Sequence, residues 1–257
     1  MLNLSFVTCH YHSCLQSLVV IAFRLIFDYM TVHLFSNRLE AAERLIPVLR
    51  EYVDDHTILL AIPRGAVPMG FHIAKALHVP FDILLVKKIG YPGNPELAVG
   101  CVSIDGRVID PEFAIRKEYI DRETKRLQHL LKEREVYLLG NREPLSLAEK
   151  SVIIIDDGMA TGNSMLAAVQ LVRQQSPAKI IVAVPVAAEG AISKLKAAVD
   201  ELICLHVPED FQAVGQFYED FCEVSDTDVR ECLSKLNSQS IDVVQPTFNH
   251  RRGEANS

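Results

Sequence analysis

Four consecutive aliphatic residues, Val152-Ile153-Ile154-Ile155, run straight into Asp156-Asp157-Gly158-Met159-Ala160-Thr161-Gly162-Asn163-Ser164. An amphipathic stretch follows, with Met165, Ala168, Val169 and Val172 on one face. An apolar run this short, bounded by polar residues, reads as a strand buried on both faces, the environment of a parallel sheet covered by helices. Asp156 and Asp157 then emerge at the strand's carboxyl end, where open α/β sheets bind ligands. Successive residues at a strand end point in different directions, so the pair can engage a vicinal diol or a divalent cation. Gly158 and Gly162 permit unusual dihedrals and close backbone approach, and Thr161 and Ser164 supply hydroxyls. The helix that begins here offers free N–H groups and the positive end of its dipole, a ready phosphate site. Together these residues would hold a sugar phosphate: acids for the hydroxyls, the turn for the phosphate. Gly162 is followed by Asn163, so the turn is not a Walker A loop, and it carries no G-x-G-x-x-G dinucleotide fingerprint.

The surrounding chain supports the same architecture. Asn37 with Glu40 three residues later resembles a capping box, and Leu39, Ala42, Leu45, Ile46 and Leu49 recur at helical spacing. Residues 57–62 read as a buried strand, followed by the turn Pro63-Arg64-Gly65 and a helix over Val67–Leu77. Phe81–Val86 reads as a second strand ending at Lys87-Lys88. Gly90-Tyr91-Pro92-Gly93-Asn94-Pro95 is rich enough in breakers to predict a loop. Ala98–Ile104 and Arg107–Ile109 suggest a hairpin turning through Asp105-Gly106. Ile115–Leu139 has the spacing of a long surface helix; Lys179–Val184 and Leu202–Leu205 read as strands and Ala191–Ala198 as a helix. Alternating strands and helices predict an α/β fold, a Rossmann-like parallel sheet flanked by helices. On this reading the domain spans residues 30–244, residues 1–29 form a leader or extension outside the fold, and the polar tail 245–257 is disordered.

Charge and cysteine content narrow the function classes. Lys+Arg total 26 against Asp+Glu 33, a net charge of −7, which argues against a nucleic-acid binder needing a concentrated basic face. Aromatic residues are 7% with no Trp, which disfavours a stacking platform for single strands. Cys101, Cys204, Cys222 and Cys232 are widely scattered, as suits buried thiols in a reducing, cytoplasmic compartment. Cys9-His10-Tyr11-His12-Ser13-Cys14 crowds its potential ligands into one run, whereas zinc sites draw on separated pairs, so an accidental cluster is the default. Leu15–Phe27 is broken by Arg24 and falls short of the roughly 20 apolar residues of a spanning helix. No Lys or Arg precedes Arg24, so a secretory signal is not indicated either. The segment is an added helix or a leader, and no membrane association is expected.

The run from Val152 to Ser164 resembles the phosphoribosyl-pyrophosphate motif of the type I phosphoribosyltransferases. Pro63-Arg64-Gly65-Ala66 is similar to that family's pyrophosphate loop, and Lys87-Lys88 to the basic pair before its mobile catalytic loop. The sequence from Val86 to Gly100 and that from Pro208 to Tyr218 are most similar to a sparsely characterised branch of predicted bacterial phosphoribosyltransferases. The likeness covers about Met30 to Leu233 and implies that family's fold, with a small hood region.

By this resemblance Asp156 and Asp157 would bind the ribose 2- and 3-hydroxyls, directly or through Mg²⁺, beside Gly158. Ala160, Thr161, Gly162, Asn163 and Ser164 would cradle the 5-phosphate. Arg64, Gly65, Ala66 and Lys87 would meet the pyrophosphate, with Lys88 beside them, and Ile89–Leu97 would be the loop that closes over the site. Phe211, Phe217 and Tyr218 could form a hood against an acceptor base, although aromatic residues in a terminal segment are more often simple packing. The resemblance implies transfer of the 5-phosphoribosyl group from phosphoribosyl pyrophosphate to a nitrogenous, nucleobase-like acceptor with release of pyrophosphate, and similar proteins suggest a homodimer. A non-catalytic sensor of phosphoribosyl pyrophosphate or nucleotides on the same fold is the alternative. Ala160 stands where purine-salvage members carry an acid near the acceptor ring, and Gly158 where many members have a bulkier aliphatic, so the usual acceptors are not transferable to this chain.

Overall fold

The computed structural model describes residues 33–140, 142 and 144–239. The whole of the proposed leader, with the Cys9–Cys14 run and the Leu15–Phe27 segment, lies outside the described residues, as do the first and last residues of the proposed domain and the tail from 245. The elements are α1 (Arg38–Leu49), β1 (Thr57–Ala61), α2 (Ala66–Leu77), β2 (Phe81–Ile83), β3 (Lys87–Tyr91), β4 (Asn94–Val102), β5 (Arg107–Ile109) and α3 (Lys117–Leu139). They continue with β6 (Ser151–Ile155), α4 (Asn163–Arg173), β7 (Lys179–Val186), α5 (Glu189–Leu195), β8 (Glu201–His206) and α6 (Asp226–Gln239).

β1, β2, β6, β7 and β8 form a five-stranded sheet in the order β2-β1-β6-β7-β8, with every pairing parallel. Alternation along the central strands divides the core in two. Leu59, Ala61, Ile153, Ile155, Ile181 and Ala183 face α1 and α2, whereas Ile58, Leu60, Val152, Ile154 and Val182 face α4 and α5. Ile153, Ile154, Val152 and Ile155 are all 0% exposed, which is why this strand is an unbroken aliphatic run. The chain turns one way from β1 to β2 and the other way from β6 to β7. The β1/β6 boundary is therefore the switch point where such sheets open a crevice at their carboxyl ends.

Asn37 caps α1 as its sequence suggests, its Oδ1 accepting from the N–H groups of Leu39 and Glu40 at 2.9 and 3.0 Å. The reciprocal arm differs from a standard capping box, because the Glu40 carboxylate accepts from the N–H of Ser36 at 2.6 Å rather than from that of Asn37.

Residues 90–95 do not form the open loop that their composition suggests. β3, β4 and β5 make a separate three-stranded antiparallel sheet, with Pro92 and Gly93 confined to the turn between β3 and β4. Gly93 has φ +83°, the conformation that a turn asks of glycine. The remaining breakers are absorbed by irregular pairing: the register shifts on both sides of Gly90, and an added Cβ there would meet Pro95 Cα at 2.7 Å. The Tyr119 hydroxyl donates to Gly90 C=O at 2.8 Å and ties this hairpin to α3. The connection from β4 to β5 turns through Ile104-Asp105, one residue earlier than expected, with Ser103 N–H donating to Gly106 C=O at 2.9 Å.

Candidate functional site

Two helices start side by side at the switch point, and neither has a side-chain cap. α2 begins after Gly65 and α4 after Gly162, and in neither does an N-cap side chain take up the first amides. α1, by contrast, has its amides occupied by Asn37. Each helix start leaves orphan N–H groups and the positive dipole end facing outward, so the crevice is built to receive anions from two directions. Gly162 lies at φ +70°, ψ −1°, the left-handed conformation that turns the chain into α4. The Met159 N–H donates to Val186 C=O and the Ala188 N–H to Met159 C=O, both at 2.9 Å, so the turn is pinned to the end of β7. Ala160, Thr161, Asn163 and Ser164 are exposed along its open side. Lys194 from α5 reaches over, Nζ donating to Thr161 C=O at 2.9 Å and to Asn163 Oδ1 at 2.6 Å.

Asp156 and Asp157 sit between these two helix starts, and their surroundings differ. Asp156 accepts the N–H of Asp157 at 2.9 Å, and burial together with the charge of Asp157 pushes its pKa well above the usual carboxylate range. Burial raises Asp157 as well, but Arg38 opposes it, Nε donating to Asp157 Oδ2 at 2.9 Å. Across from Arg38 lies Gly65, where an added Cβ would fall 2.0 Å from Asp157 Oδ2. Gly65 is thus required for close approach, since its backbone, at φ −53° and ψ −40°, suits any residue. The Tyr218 hydroxyl donates to Asp157 C=O at 2.6 Å, which locks the backbone of the turn, and burial raises the Tyr218 pKa.

The remaining residues suggested by sequence are placed as follows. Gly65 and Ala66 adjoin the acid pair at the start of α2, and the Pro63–Arg64 peptide bond is cis. The Arg64 side chain is engaged by acids of the C-terminal segment: its Nη2 donates to Glu223, and Nη1 stands 4.0 Å from Asp226. Lys87 and Lys88 are exposed at the beginning of β3, and neither touches the acids. Lys88 and Asn163 share the wall of a cavity of about 380 Å³ between the small sheet and α4. Phe217 and Tyr218, readable either as a hood over an acceptor or as packing residues, are 7% and 2% exposed and pack in the core. Their segment has become a structural strap, Phe35 and Tyr218 forming a parallel bridge with ring centroids 5.3 Å apart.

Sequence reasoning missed Arg38, Tyr218 as a turn-locking group, and Lys194. Arg38 and Lys194 read as ordinary polar residues of amphipathic helices. Only the Arg38 position, directly after the Asn37 cap, hints that its side chain leaves the solvent face.

Among the described residues no three His, Cys, Asp or Glu side chains gather as a ready-made metal centre. Two adjacent carboxylates fit a hard cation such as Mg²⁺, which is commonly held by one or two carboxylates while substrate oxygens and water complete its shell. Among the described residues no helix is long and apolar enough to cross a membrane.

Residues 35–221 match the family model described as the phosphoribosyl transferase domain. A Mycobacterium tuberculosis protein provisionally named a phosphoribosyl transferase is 35% identical over 210 residues, covering 79% of this chain and 47% of that protein. The chain thus spans about half the length of the curated relatives it matches. The crystal structure of a Thermus thermophilus protein superposes with a TM-score of 0.73 at 37% identity, covering 78% of this chain and 98% of that one.

Proposed function

Because the chain belongs to the phosphoribosyl transferase domain family, we propose that it transfers the 5-phosphoribosyl group of phosphoribosyl pyrophosphate to a nitrogenous, nucleobase-like acceptor and releases pyrophosphate. The observation that carries this reading is the pair of uncapped helix starts at Gly65 and Gly162, with Asp156 and Asp157 between them. One helix start takes the 5-phosphate at Ala160–Ser164, the acids take the ribose hydroxyls, and the other helix start takes the pyrophosphate at Arg64–Ala66. The two phosphorylated ends of one sugar thereby meet two anion sites on neighbouring strands.

Displacing pyrophosphate builds positive charge on the ribose ring and negative charge on the leaving group. The amides at Gly65 and Ala66 and the cations Arg64 and Lys87 stabilise the leaving group, while the acids lie under the ring. Mg²⁺ held by Asp156 and Asp157 would supply further charge neutralisation. The β3–β4 hairpin carries Lys87 and Lys88 and is the element whose closure would exclude water. Arg64 must leave Glu223 to reach pyrophosphate, so binding of the leaving group and release of that ion pair are one event.

The contact between Arg64 and Glu223 also favours a second reading, a sensor that binds phosphoribosyl pyrophosphate and responds by releasing the segment after Tyr218, without turnover. One experiment separates the two. Nucleobases and related heterocycles are screened for pyrophosphate release, and thermal shift with phosphoribosyl pyrophosphate and Mg²⁺ is measured on the wild type and on Asp156→Asn/Asp157→Asn. The transferase gives release with at least one acceptor and a shift that the double variant lacks. A shift without release across the screen identifies the sensor; an unaffected double variant refutes the diol site in both.

A further inference from the structure

We propose that Arg38 is a positioning residue for Asp157, fixing the direction of that carboxylate and thereby the preference of the site for a sugar with a 2-hydroxyl. The inference rests on the reading above, in which the acid pair takes a ribose diol. The guanidinium is engaged on three sides. Nε donates to Asp157 Oδ2 at 2.9 Å, Nη1 donates to Cys222 C=O at 2.7 Å, and the plane lies over Phe221 with Cζ 3.8 Å from the ring centroid. A planar fork can serve all three at once, and a lysine ammonium cannot.

The arrangement is enclosed as well as bonded. The Arg38 and Asp157 side chains are 13% and 15% exposed. Oδ2 is boxed between Arg38 and the Gly65 backbone, where there is no room even for a methyl group. Among the described residues no cation makes an ion-pair contact with Asp156, which lacks this restraint. The partners of Arg38 are themselves held in register. Phe35 N–H donates to Phe217 C=O at 3.0 Å, Glu219 N–H to Phe35 C=O at 2.9 Å, and Asp220 N–H to Ser36 C=O at 2.8 Å. Phe221 stacks on Tyr218 with centroids 5.0 Å apart, and Tyr218 holds the Asp157 carbonyl. Two segments far apart in sequence therefore meet on one carboxylate, and Arg38 is the side chain that joins them to it.

The full chain and its Arg38→Met variant are titrated calorimetrically with ribose 5-phosphate and with 2-deoxyribose 5-phosphate at one Mg²⁺ concentration. Loss of an outer-shell partner weakens ribose 5-phosphate by about 10-fold to 100-fold and the deoxy sugar by less than about threefold, so the preference collapses. Arg38→Lys retains charge without the fork and gives an intermediate preference. A folded Arg38→Met protein that keeps the wild-type preference, or loses both sugars equally, overturns the proposal, since a purely structural arginine would do the latter. Where Arg38→Met shows no cooperative melt, Arg38→Lys decides, and a wild-type preference in it overturns the proposal. Failure of the wild type to bind either sugar is a separate result, which removes the diol site itself and this proposal with it.

Discussion

Alanine at position 65 is the sharpest perturbation that the site allows. The backbone there accepts any residue, so Gly65→Ala carries no conformational penalty. The obstacle is spatial: the new methyl would stand 2.0 Å from Asp157 Oδ2, 2.9 Å from its Cγ and 3.3 Å from Arg38 Nη2. Ordinary contact starts near 3.4 Å, so the carboxylate must retreat by more than an ångström or α2 must shift. Retreat breaks the bond from Arg38, and a hydrogen bond to a charged group contributes about 1.5–3 kcal/mol. A shift of the helix instead incurs overpacking, about 1–3 kcal/mol. Either route costs on the order of 1–3 kcal/mol, and at about 2–4 °C per kcal/mol the melting temperature falls by about 2–12 °C. Scanning calorimetry with and without ribose 5-phosphate reads both quantities: the melting temperature should fall and the ligand shift should vanish. Gly190→Ala is the control: nothing lies within 4 Å of its added methyl, and in α5 it should be neutral or stabilising by up to about 1 kcal/mol. If Gly65→Ala melts with the wild type and keeps its ligand shift, Asp157 is not confined and the steric reasoning is wrong.

Four further outcomes are expected. Tyr218→Phe leaves the Asp157 carbonyl without its 2.6 Å donor and should cost about 1–3 kcal/mol, read as a lower urea midpoint at unchanged slope; an unchanged midpoint contradicts the lock. Burial and the charge of Asp157 raise Asp156, so between the ordinary and the raised carboxylate pKa the native state binds more protons than the unfolded chain. The stability of the ligand-free protein therefore falls as pH rises through that window. Asp156→Asn should flatten the fall in part, because burial also raises Asp157 and Asp82, and should be more stable than wild type at neutral pH; a steeper fall in urea titrations would reverse the argument. Lys87→Ala should lower turnover more than ribose 5-phosphate binding, and equal kinetics would remove Lys87 from the reaction. Glu223→Gln removes the nearer acid from Arg64, leaving Asp226 at 4.0 Å, and should tighten pyrophosphate a few-fold, about the range of an exposed ion pair; unchanged affinity would mean that the pair does not compete with the ligand.

The main sheet, its flanking helices and the position of the acid pair are legible in the residues alone, for a physical reason. Val152–Ile155 must be apolar on both faces to lie in the centre of a parallel sheet, and the carboxyl end of such a strand has one kind of sequel, a turn into a covering helix. Asn37 announces α1 through its capping chemistry. The hairpin of β3 and β4 is hidden because Gly90, Pro92, Gly93 and Pro95 are breakers locally. Their effect depends on whether a partner strand can absorb the irregularity, and Gly90 and Pro95 absorb it against each other. The aromatic residues at 217 and 218 are open in sequence to packing, the commoner outcome, or to ligand contact, and Phe35, nearly two hundred residues upstream, is what Tyr218 packs against.

Local chemistry thus determined which residues gather at the switch point: two acids, two glycine turns and the helix starts they leave uncapped. Only tertiary structure decided how those residues are held. Arg38 reaches Asp157, and Arg64 meets Glu223, through pairings separated by 119 and 159 residues. Such choices leave no periodicity or spacing in a sequence, because they depend on where the sheet order brings separate segments together and on which charge each then meets.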